Sequence, residues 1–457
     1  MGVYTTDAKM AYRRALGFYT LTALPGAAVV VLFNVYFLIY ATDVLFIAPA
    51  VIGTIIAVSR VYDGVTDIAF AAWSDRVESK HGRRRPFILA GGLLAIAYGA
   101  MWLPPENFGA AATAIWVGFM LILWETAWTL RTTGLYALGI ELGQTPERRS
   151  WYQTVMMVVS LPIAVGAHLL VQHLVDSPDA RAAGAPWFVG LGVVVALITA
   201  VLGPFLRELP VQGQTVERSV WRMLKEVLGV GYHRQLIAVS FAESFAFSSL
   251  VFSIAYVLTY VLDRPEMMAM IAVPYLVVSQ LSKIGWLKMI PRWGMKRIWM
   301  HGLRIWLAIF LAMPLILVFG FPLYFALGLL AGIAGGAAAV NFAMLGDIAD
   351  YDARHSGRQR QAIYSAIYSL IAKLGGALTA FVLGWLLQFA GFVPNEEQGS
   401  IVIAVIIASS SLLPFIGVFI GLRILAGYRF YEAEGISDGK RDFKEEAVLG
   451  GTVANPA

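Results

Sequence analysis

Apolar residues occupy most of the chain, in runs that are long enough to cross a membrane. The hydrocarbon core of a bilayer is about 30 Å thick, so a spanning helix needs about 20 mainly apolar residues. Backbone groups inside lipid must be satisfied within the segment, which a helix does. We therefore expect an all-α integral membrane protein with twelve transmembrane helices. The predicted spans cover residues 15–41, 46–73, 86–104, 110–141, 151–175, 186–206, 234–262, 267–290, 296–319, 321–346, 361–391 and 399–427.

The connections between these runs differ in charge. Lysine and arginine are concentrated after the even-numbered runs, for example at Arg76 and at Arg83 to Arg85. The connections after the odd-numbered runs carry mostly acids, such as Glu106 and Asp176. Positively charged loops of membrane proteins stay in the cytoplasm. We therefore expect a multi-pass protein of a bacterial cytoplasmic (inner) membrane, with both termini in the cytoplasm.

The longest polar connection falls near the middle of the chain and divides the spans into two sets of six. We expect a six-helix bundle at 1–206, a cytoplasmic linker at 207–233, a second bundle at 234–427 and a cytoplasmic tail at 428–457. Two pairs of short motifs recur at nearly the same offset: Gly82-Arg-Arg-Arg85 with Gly294-Met-Lys-Arg297, and Leu138-Gly-Ile-Glu141 with Leu345-Gly-Asp347. Duplicated halves are typical of transporters whose central site lies between the repeats.

Composition excludes several other classes of protein. The chain is 59 % hydrophobic and only 14 % charged, well below the roughly 25 % charged residues of a soluble domain. It has no cysteine, which excludes disulfides, thiolate catalysis and cysteine metal sites. The net charge of +5 comes from short loops between apolar runs and does not indicate a nucleic-acid partner. No H-E-x-x-H pair or comparable catalytic constellation is present, so we do not expect an enzyme or a cofactor.

Three charged residues interrupt the second predicted span. Arg60, Asp63 and Asp67 have helical spacing and project from one face of that helix. An ionised side chain at the bilayer centre costs about 2.5–3.5 kcal/mol on insertion scales, so such residues mark functional sites. Two carboxylates against one guanidinium leave a spare negative charge, which predicts a site for a small cation.

Three motifs, in order along the chain, resemble those of a known family of transporters. They are Tyr40-Ala-Thr-Asp43, then Arg60-Val-Tyr-Asp63-Gly-Val-Thr-Asp67, and finally Met344-Leu-Gly-Asp347-Ile-Ala-Asp350-Tyr351 followed by Arg358 and Lys373-Leu-Gly-Gly376. With them the chain resembles the glycoside–pentoside–hexuronide:cation symporters of the major facilitator superfamily over almost its whole length. That resemblance implies two pseudo-symmetric six-helix bundles around a midplane cavity.

The resemblance also implies roles for individual residues. Asp63 and Asp67 correspond to the carboxylates that bind the coupling cation, and Thr129 to a hydroxyl ligand of the same ion. Lys373 corresponds to an intramembrane lysine that helps to hold this site together. Thr66 stands where the family has an asparagine and is a further candidate ligand of the cation. Glu125 adds a carboxylate where a small residue is expected and, with Arg60 and Lys373, is a candidate charge partner of the site. The coupling ion is therefore left open between Na+ and H+.

The residues expected around the substrate depart from the family pattern. Family members that carry galactosides have aspartates on the first and fourth spans, where this chain has Ala27 and Thr132. Aromatic and polar residues of the first and fourth spans are the candidates for lining the cavity: Tyr36, Trp124, Trp128, Arg131, Thr132 and Tyr136. Charged residues at the cytoplasmic helix ends are the candidates for a gate: Asp75, Arg76, Arg83, Arg84, Arg85, Glu141, Arg148, Asp347, Asp350 and Arg358.

These features predict a secondary symporter that couples a monovalent cation gradient to uptake of a sugar, glycoside or related small solute. We expect it to work as a monomer in the lipid bilayer. Loss of the sugar-binding aspartates keeps a second hypothesis open, namely a cation-coupled transporter of a lysolipid or another amphiphile. A third, of another class, is a membrane sensor that binds its ligand without transporting it.

Overall fold

A computed structural model of the protein describes residues 6–74, 84–142, 146–206, 220–357 and 361–433, and the regular elements in these ranges are helical. The α-helices are α1 (Thr6–Ala23), α2 (Gly26–Val31), α3 (Phe37–Asp43), α4 (Pro49–Ser74), α5 (Arg85–Leu94), α6 (Ala97–Trp102), α7 (Ala110–Leu142), α8 (Pro146–Val175), α9 (Ala180–Leu202), α10 (Val220–Gly229), α11 (Gly231–Tyr256), α12 (Met268–Trp293), α13 (Met295–Ala312), α14 (Ile316–Ala337), α15 (Val340–Ser356), α16 (Gln361–Ala390), α17 (Ser400–Ser410), α18 (Leu412–Ala426) and α19 (Phe430–Ala433).

Ten helical segments in the described part of the chain are apolar and long enough to cross a membrane. Helix α4, which carries Arg60, Asp63 and Asp67, is not among them. One segment, Met295–Ser356, contains both the ninth and the tenth predicted spans. The all-α membrane architecture is thus confirmed, while the number of twelve spans stays a prediction.

The first apolar run is broken twice. Helix α1 ends just before Pro25, whose ring cannot donate a backbone hydrogen bond and clashes with the preceding turn. A π-helical turn at Leu32–Tyr36 then separates α2 from α3. Such turns insert one extra residue into a helix and occur frequently at functional sites. Here the π turn contains Asn34, which contacts α4 through Arg60.

The described helices form two compact units. The first unit comprises Met1–Val220, Phe247–Ala269 and Ala372–Ser409. Its helices α4 and α16 cross at two glycines: a Cβ atom at Gly53 would lie 3.1 Å from Gly384 Cα and would overlap Ala380 O. Since both backbones need this space, only glycine allows the approach. The crossing holds α4 beside α16 and brings Lys373 near Asp63.

The second unit comprises Trp221–Ala246, Met270–Ile371 and Ser410–Ala457. Helix α13 packs against α14 and α18, and small residues again allow close contacts. A Cβ atom at Gly332 would lie 2.9 Å from Tyr275 O, so α14 and α12 approach closely at this point. Small residues at such crossings are typical of membrane helix packing.

Candidate cation site

An ammonium group lies between two carboxylates in the first unit. Lys373 Nζ is 2.6 Å from Asp63 Oδ2 and 2.5 Å from Asp67 Oδ2. The Asp63 side chain is 2 % exposed, whereas those of Lys373 and Asp67 are 21 % and 30 % exposed. The predicted cation-binding aspartates are therefore adjacent, and a positive charge from α16 is held between them.

The other carboxylate oxygen of Asp63 also has a partner. Thr129 on α7 is fully buried, and its hydroxyl donates to Asp63 Oδ1 at 2.8 Å. One turn earlier on α7, the Thr126 hydroxyl is 2.8 Å from the Tyr62 hydroxyl. These two contacts fix α4 against α7. The carboxylate of Asp63 thus contacts both the Lys373 ammonium and a hydroxyl of α7. Carboxylate and hydroxyl oxygens are the ligands that a small hard cation takes.

Arg60 contacts groups other than the two aspartates. Its Nη2 donates to Asn34 Oδ1 at 2.5 Å, and its guanidinium carbon lies 4.6 Å from the centre of the Phe33 ring. Its Nη1 is 4.0 Å from Glu125 Oε1, and Glu125 is buried. Sequence spacing placed Arg60 on the same helix face as Asp63, but in the structure the positive charge beside the aspartates comes from Lys373.

The charges of the five ionisable side chains in this cluster do not sum to zero. Asp63, Asp67 and Glu125 supply three negative charges when ionised, and Arg60 and Lys373 supply two positive charges. One monovalent cation or one proton neutralises the cluster. Removing uncompensated charge from a membrane interior is strongly favourable, because charge there is costly.

Thr66 is not directed at the carboxylates. Its hydroxyl donates to the backbone oxygens of Tyr62 at 2.9 Å and Asp63 at 3.1 Å, both within α4. Such bonds to the preceding turn are common for threonine in helices. The prediction of Thr66 as a cation ligand therefore has no contact in this structure to support it.

Three of the six predicted substrate residues lie in buried packing. Tyr36 is 3 % exposed and stacks on Trp102, and Trp124 is 3 % exposed and packs against Tyr98 and Trp128. The Arg131 guanidinium is 1 % exposed; it donates to Thr22 O and, at 3.2 Å, to Thr199 Oγ1.

Trp128 and Thr132 are only partly buried. The Thr132 hydroxyl donates to Trp128 O, one turn earlier on α7. The side chain of Tyr136 lies outside the described part of the structure. Of the aromatic candidates whose side chains the structure describes, Trp128 is the one that is only partly buried.

The candidate gate residues are only partly covered by the described ranges. Asp75, Arg76, Arg83 and Arg358 lie outside them, as do the side chains of Glu141 and Arg148. Arg84 precedes α5, and Arg85 Nε donates to Leu206 O. Asp347 Oδ2 accepts a 3.0 Å hydrogen bond from Tyr431, and Asp350 is exposed on α15. The gate stays a prediction.

A second polar cluster was not predicted. In the second unit, Glu243 Oε2 accepts hydrogen bonds from Trp299 Nε1 at 3.0 Å and Asn341 Nδ2 at 2.9 Å. The sequence does contain a signal for it, since Glu243 is the one acid in the apolar run 234–262. A lone acid in such a run is costly and therefore marks a candidate site.

A third cluster closes the end of the first span. Tyr260 donates to Asp43 Oδ2 at 2.5 Å, and Asn395 Nδ2 donates to Asp43 O at 2.8 Å. The Thr42 hydroxyl is 3.0 Å from the Tyr256 hydroxyl. All of these residues belong to the first unit, so the Tyr40-Ala-Thr-Asp43 motif joins α3 to two later segments of the chain.

Comparison with known proteins supports the transporter interpretation. The family model described as MFS/sugar transport protein matches residues 18–432. The putative glycoside/cation symporter YagG of Escherichia coli is 24 % identical over 438 residues, covering 92 % of each chain. The inner membrane symporter YicJ of Escherichia coli is 22 % identical and covers 86 % of each chain. The glucuronide carrier protein homolog of Escherichia coli is 24 % identical and covers 83 % of this chain and 84 % of its own.

Solved structures show the same fold at low sequence identity. The nucleoside transporter NupG is 12 % identical with a TM-score of 0.62, covering 92 % of this chain and 98 % of its own. A D-xylose-proton symporter is 14 % identical with a TM-score of 0.58, covering 94 % and 97 %. The predicted family resemblance is confirmed, and the prediction that the chain is not an enzyme agrees with these matches. The chain belongs to the MFS/sugar transport family and is a multi-pass membrane transporter of the major facilitator fold.

Proposed function

We propose that the protein is a secondary symporter that couples a monovalent cation gradient to uptake of a sugar or glycoside by alternating access. Asp63, Asp67 and the Thr129 hydroxyl bind the cation. The observation that carries this proposal is the position of Lys373 Nζ, within 2.6 Å of one oxygen of each carboxylate. An ammonium group occupies the place in which a monovalent cation meets the same oxygens.

Competition between the cation and Lys373 provides the coupling. Two positive charges repel each other strongly at such distances, so an entering cation displaces the ammonium from the carboxylates. The displaced ammonium of Lys373 then leaves the two carboxylates. If the substrate binds better after this change, then by linkage the substrate also raises the affinity for the cation.

Both possible coupling ions fit the charge of the cluster. Na+ takes oxygen ligands, which Asp63, Asp67 and Thr129 supply. A proton instead binds one carboxylate and weakens its hold on Lys373. The names of the relatives support a glycoside or glucuronide as the substrate class, and partly accessible Trp128 offers an aromatic face for a sugar ring.

Transport by the purified protein tests this proposal. Proteoliposomes are loaded to impose either a Na+ or a proton gradient, and uptake is measured for a panel of glycosides, uronides and lysolipids. We expect a sugar or glycoside to be concentrated by one of the two gradients. Concentration of lysolipids alone would assign the amphiphile function, and ligand binding without flux would assign the sensor function.

The variants Asp63→Asn and Asp67→Asn test the cation site in the same assay. Each removes a charged ligand, which costs about 1.5–3 kcal/mol, or roughly tenfold or more in cation affinity. We expect accumulation driven by the gradient to be lost. Asp263→Asn is the matched control, because Asp263 lies in an exposed turn outside the spans. Normal ion dependence in both site variants would refute the assignment.

A further inference from the structure

The cluster around Glu243 has no role in the cation site, which is built by the first unit. Glu243 lies on α11 within the apolar segment Gly231–Val261. Its Oε2 accepts from Trp299 on α13 and from Asn341 on α15, and Asn341 Nδ2 is also 3.3 Å from the Tyr368 hydroxyl on α16. Three helices of the second unit therefore meet at this carboxyl group, and a fourth contacts it through Asn341.

The partners of Glu243 are neutral. The titratable groups that face it are the phenols of Tyr275 on α12 and Tyr368 on α16. Helix α18 packs beside Ala242 through Gly421, and the basic residue of α18, Arg423, lies in its last turn. Among the described residues, Glu243 forms no ion pair. A carboxylate in a membrane interior without a positive partner is costly and is relieved when it takes up a proton.

The geometry favours a proton over a metal ion. The N–H groups of Trp299 and Asn341 direct their positive ends at Oε2, so that oxygen is not available to a metal ion. A metal ion also needs several oxygen ligands, whereas a proton needs one lone pair of the carboxyl group. Glu243 itself is only partly buried, and the fully buried side chains of Trp299 and Asn341 hold its carboxyl in place.

The Asn341 amide can form a hydrogen bond with Glu243 in both protonation states of the carboxyl. Its amide nitrogen donates to the ionised carboxylate, and its Oδ1 is buried without a hydrogen-bond partner, although the residue is only 2 % exposed. A half-turn of the amide brings Oδ1 to face Glu243, where it accepts from the O–H of the protonated carboxyl. We propose that Glu243 is a proton-binding site of the second unit, separate from the cation site at Asp63 and Asp67.

Infrared difference spectroscopy of the full-length protein in nanodiscs tests this proposal. Spectra are compared between acidic and alkaline buffer, and the C=O stretch of a protonated carboxylic acid is followed. We expect a signal in the wild-type protein that is lost in Glu243→Gln, which keeps an acceptor for Trp299 but cannot titrate. Glu266→Gln, which changes an exposed glutamate just before α12, is the matched control and keeps the signal.

A second variant keeps the proposal testable if Glu243→Gln does not fold. In Asn341→Ala the carboxyl remains but loses one hydrogen-bond partner, so we expect its C=O band to shift in frequency. An unchanged signal in Glu243→Gln, or an unshifted band in Asn341→Ala, overturns the proposal. The test needs no transported substrate, so its outcome is independent of the proposed symport.

Discussion

At the scale of single residues, Lys373 is the group on which the proposed site depends. Its ammonium compensates Asp63 and Asp67, which otherwise place two like charges side by side in a membrane interior. Intramembrane charge with no partner is costly, so Lys373 stabilises the protein whenever the coupling cation is absent. In the proposed mechanism the same residue is therefore both a structural counter-charge and a competitor of the cation.

Substitution of Lys373 tests both its stabilising effect and its competition with the cation. In Lys373→Ala we expect a loss of stability on the order of 3 kcal/mol without the coupling cation, because breaking a buried ion pair leaves unpaired charge. Added cation restores stability as it binds the vacated carboxylates. Thermal unfolding measured against cation concentration checks this. Lys288→Ala, at an exposed lysine, is the control, and equal cation dependence in the two variants would contradict the prediction.

Thr129 offers a more conservative test. Thr129→Val keeps the side-chain shape but removes the hydroxyl that donates to Asp63 Oδ1. A hydrogen bond to a charged group contributes about 1.5–3 kcal/mol, so we expect cation binding that is weaker by roughly tenfold or more. Direct titration of the purified protein with the coupling cation measures the change. Thr113→Val makes the same substitution earlier on α7, and the prediction fails if both variants bind the cation equally.

Some of this site could be predicted from the sequence. Asp63 and Asp67 were identified because charges in an apolar run are rare and costly. The proximity of Lys373 to them followed only from the family resemblance, since spacing along one helix says nothing about a residue on another. The partners of Arg60 were not predicted either. Helical spacing gives the face from which a side chain leaves, but a long side chain can reach past its neighbours to Asn34.

At the scale of helices, the crossing of α4 and α16 holds the site together. Gly53 and Gly384 let the two backbones approach, about ten residues along each helix from the Asp63–Lys373 contact. No periodicity in the sequence identified this glycine pair, because the two residues come from distant parts of the chain. The π turn at Leu32–Tyr36 was also unpredicted, since it does not interrupt the apolar pattern.

A larger side chain at the crossing of α4 and α16 is expected to weaken cation binding without altering any charged residue. In Gly384→Leu the added side chain overlaps Pro49 O and Gly53, which costs about 1–3 kcal/mol by overpacking. We expect a lower unfolding temperature together with weaker cation binding. Gly190→Leu on α9 is the control, since no atom lies within 4 Å of a Cβ atom there. Unfolding temperature and cation titration are measured on both, and equal values in the two variants would contradict the prediction.

At the scale of the whole molecule, the apolar runs predicted the architecture well. Ten segments of the described chain are long and apolar enough to span, and α4 is not among them because it carries the charges of Arg60, Asp63 and Asp67. The fold is confirmed by the match to MFS/sugar transport proteins. The separation of charge between alternate loops predicts the orientation in the membrane.

The absence of cysteine from the sequence makes this orientation easy to test. Single cysteines are introduced as Asp263→Cys and Arg292→Cys, both at exposed positions near span ends. We expect a membrane-impermeant maleimide to label the first variant in intact cells and the second only after the membrane is opened. Labelling of Arg292→Cys in intact cells would reverse the predicted topology.

The covalent attachment of Lys373 has a consequence for ion affinity. A competitor fixed to the protein acts at an effective concentration of about millimolar or above, whatever the composition of the medium. If Lys373 competes with the cation as proposed, the cation concentration at which the transporter is half-saturated reflects an intramolecular inhibitor as well as the ligands of the ion. A change in the packing of α16 that moves the Lys373 ammonium would therefore change this half-saturating concentration, even with Asp63, Asp67 and Thr129 unaltered.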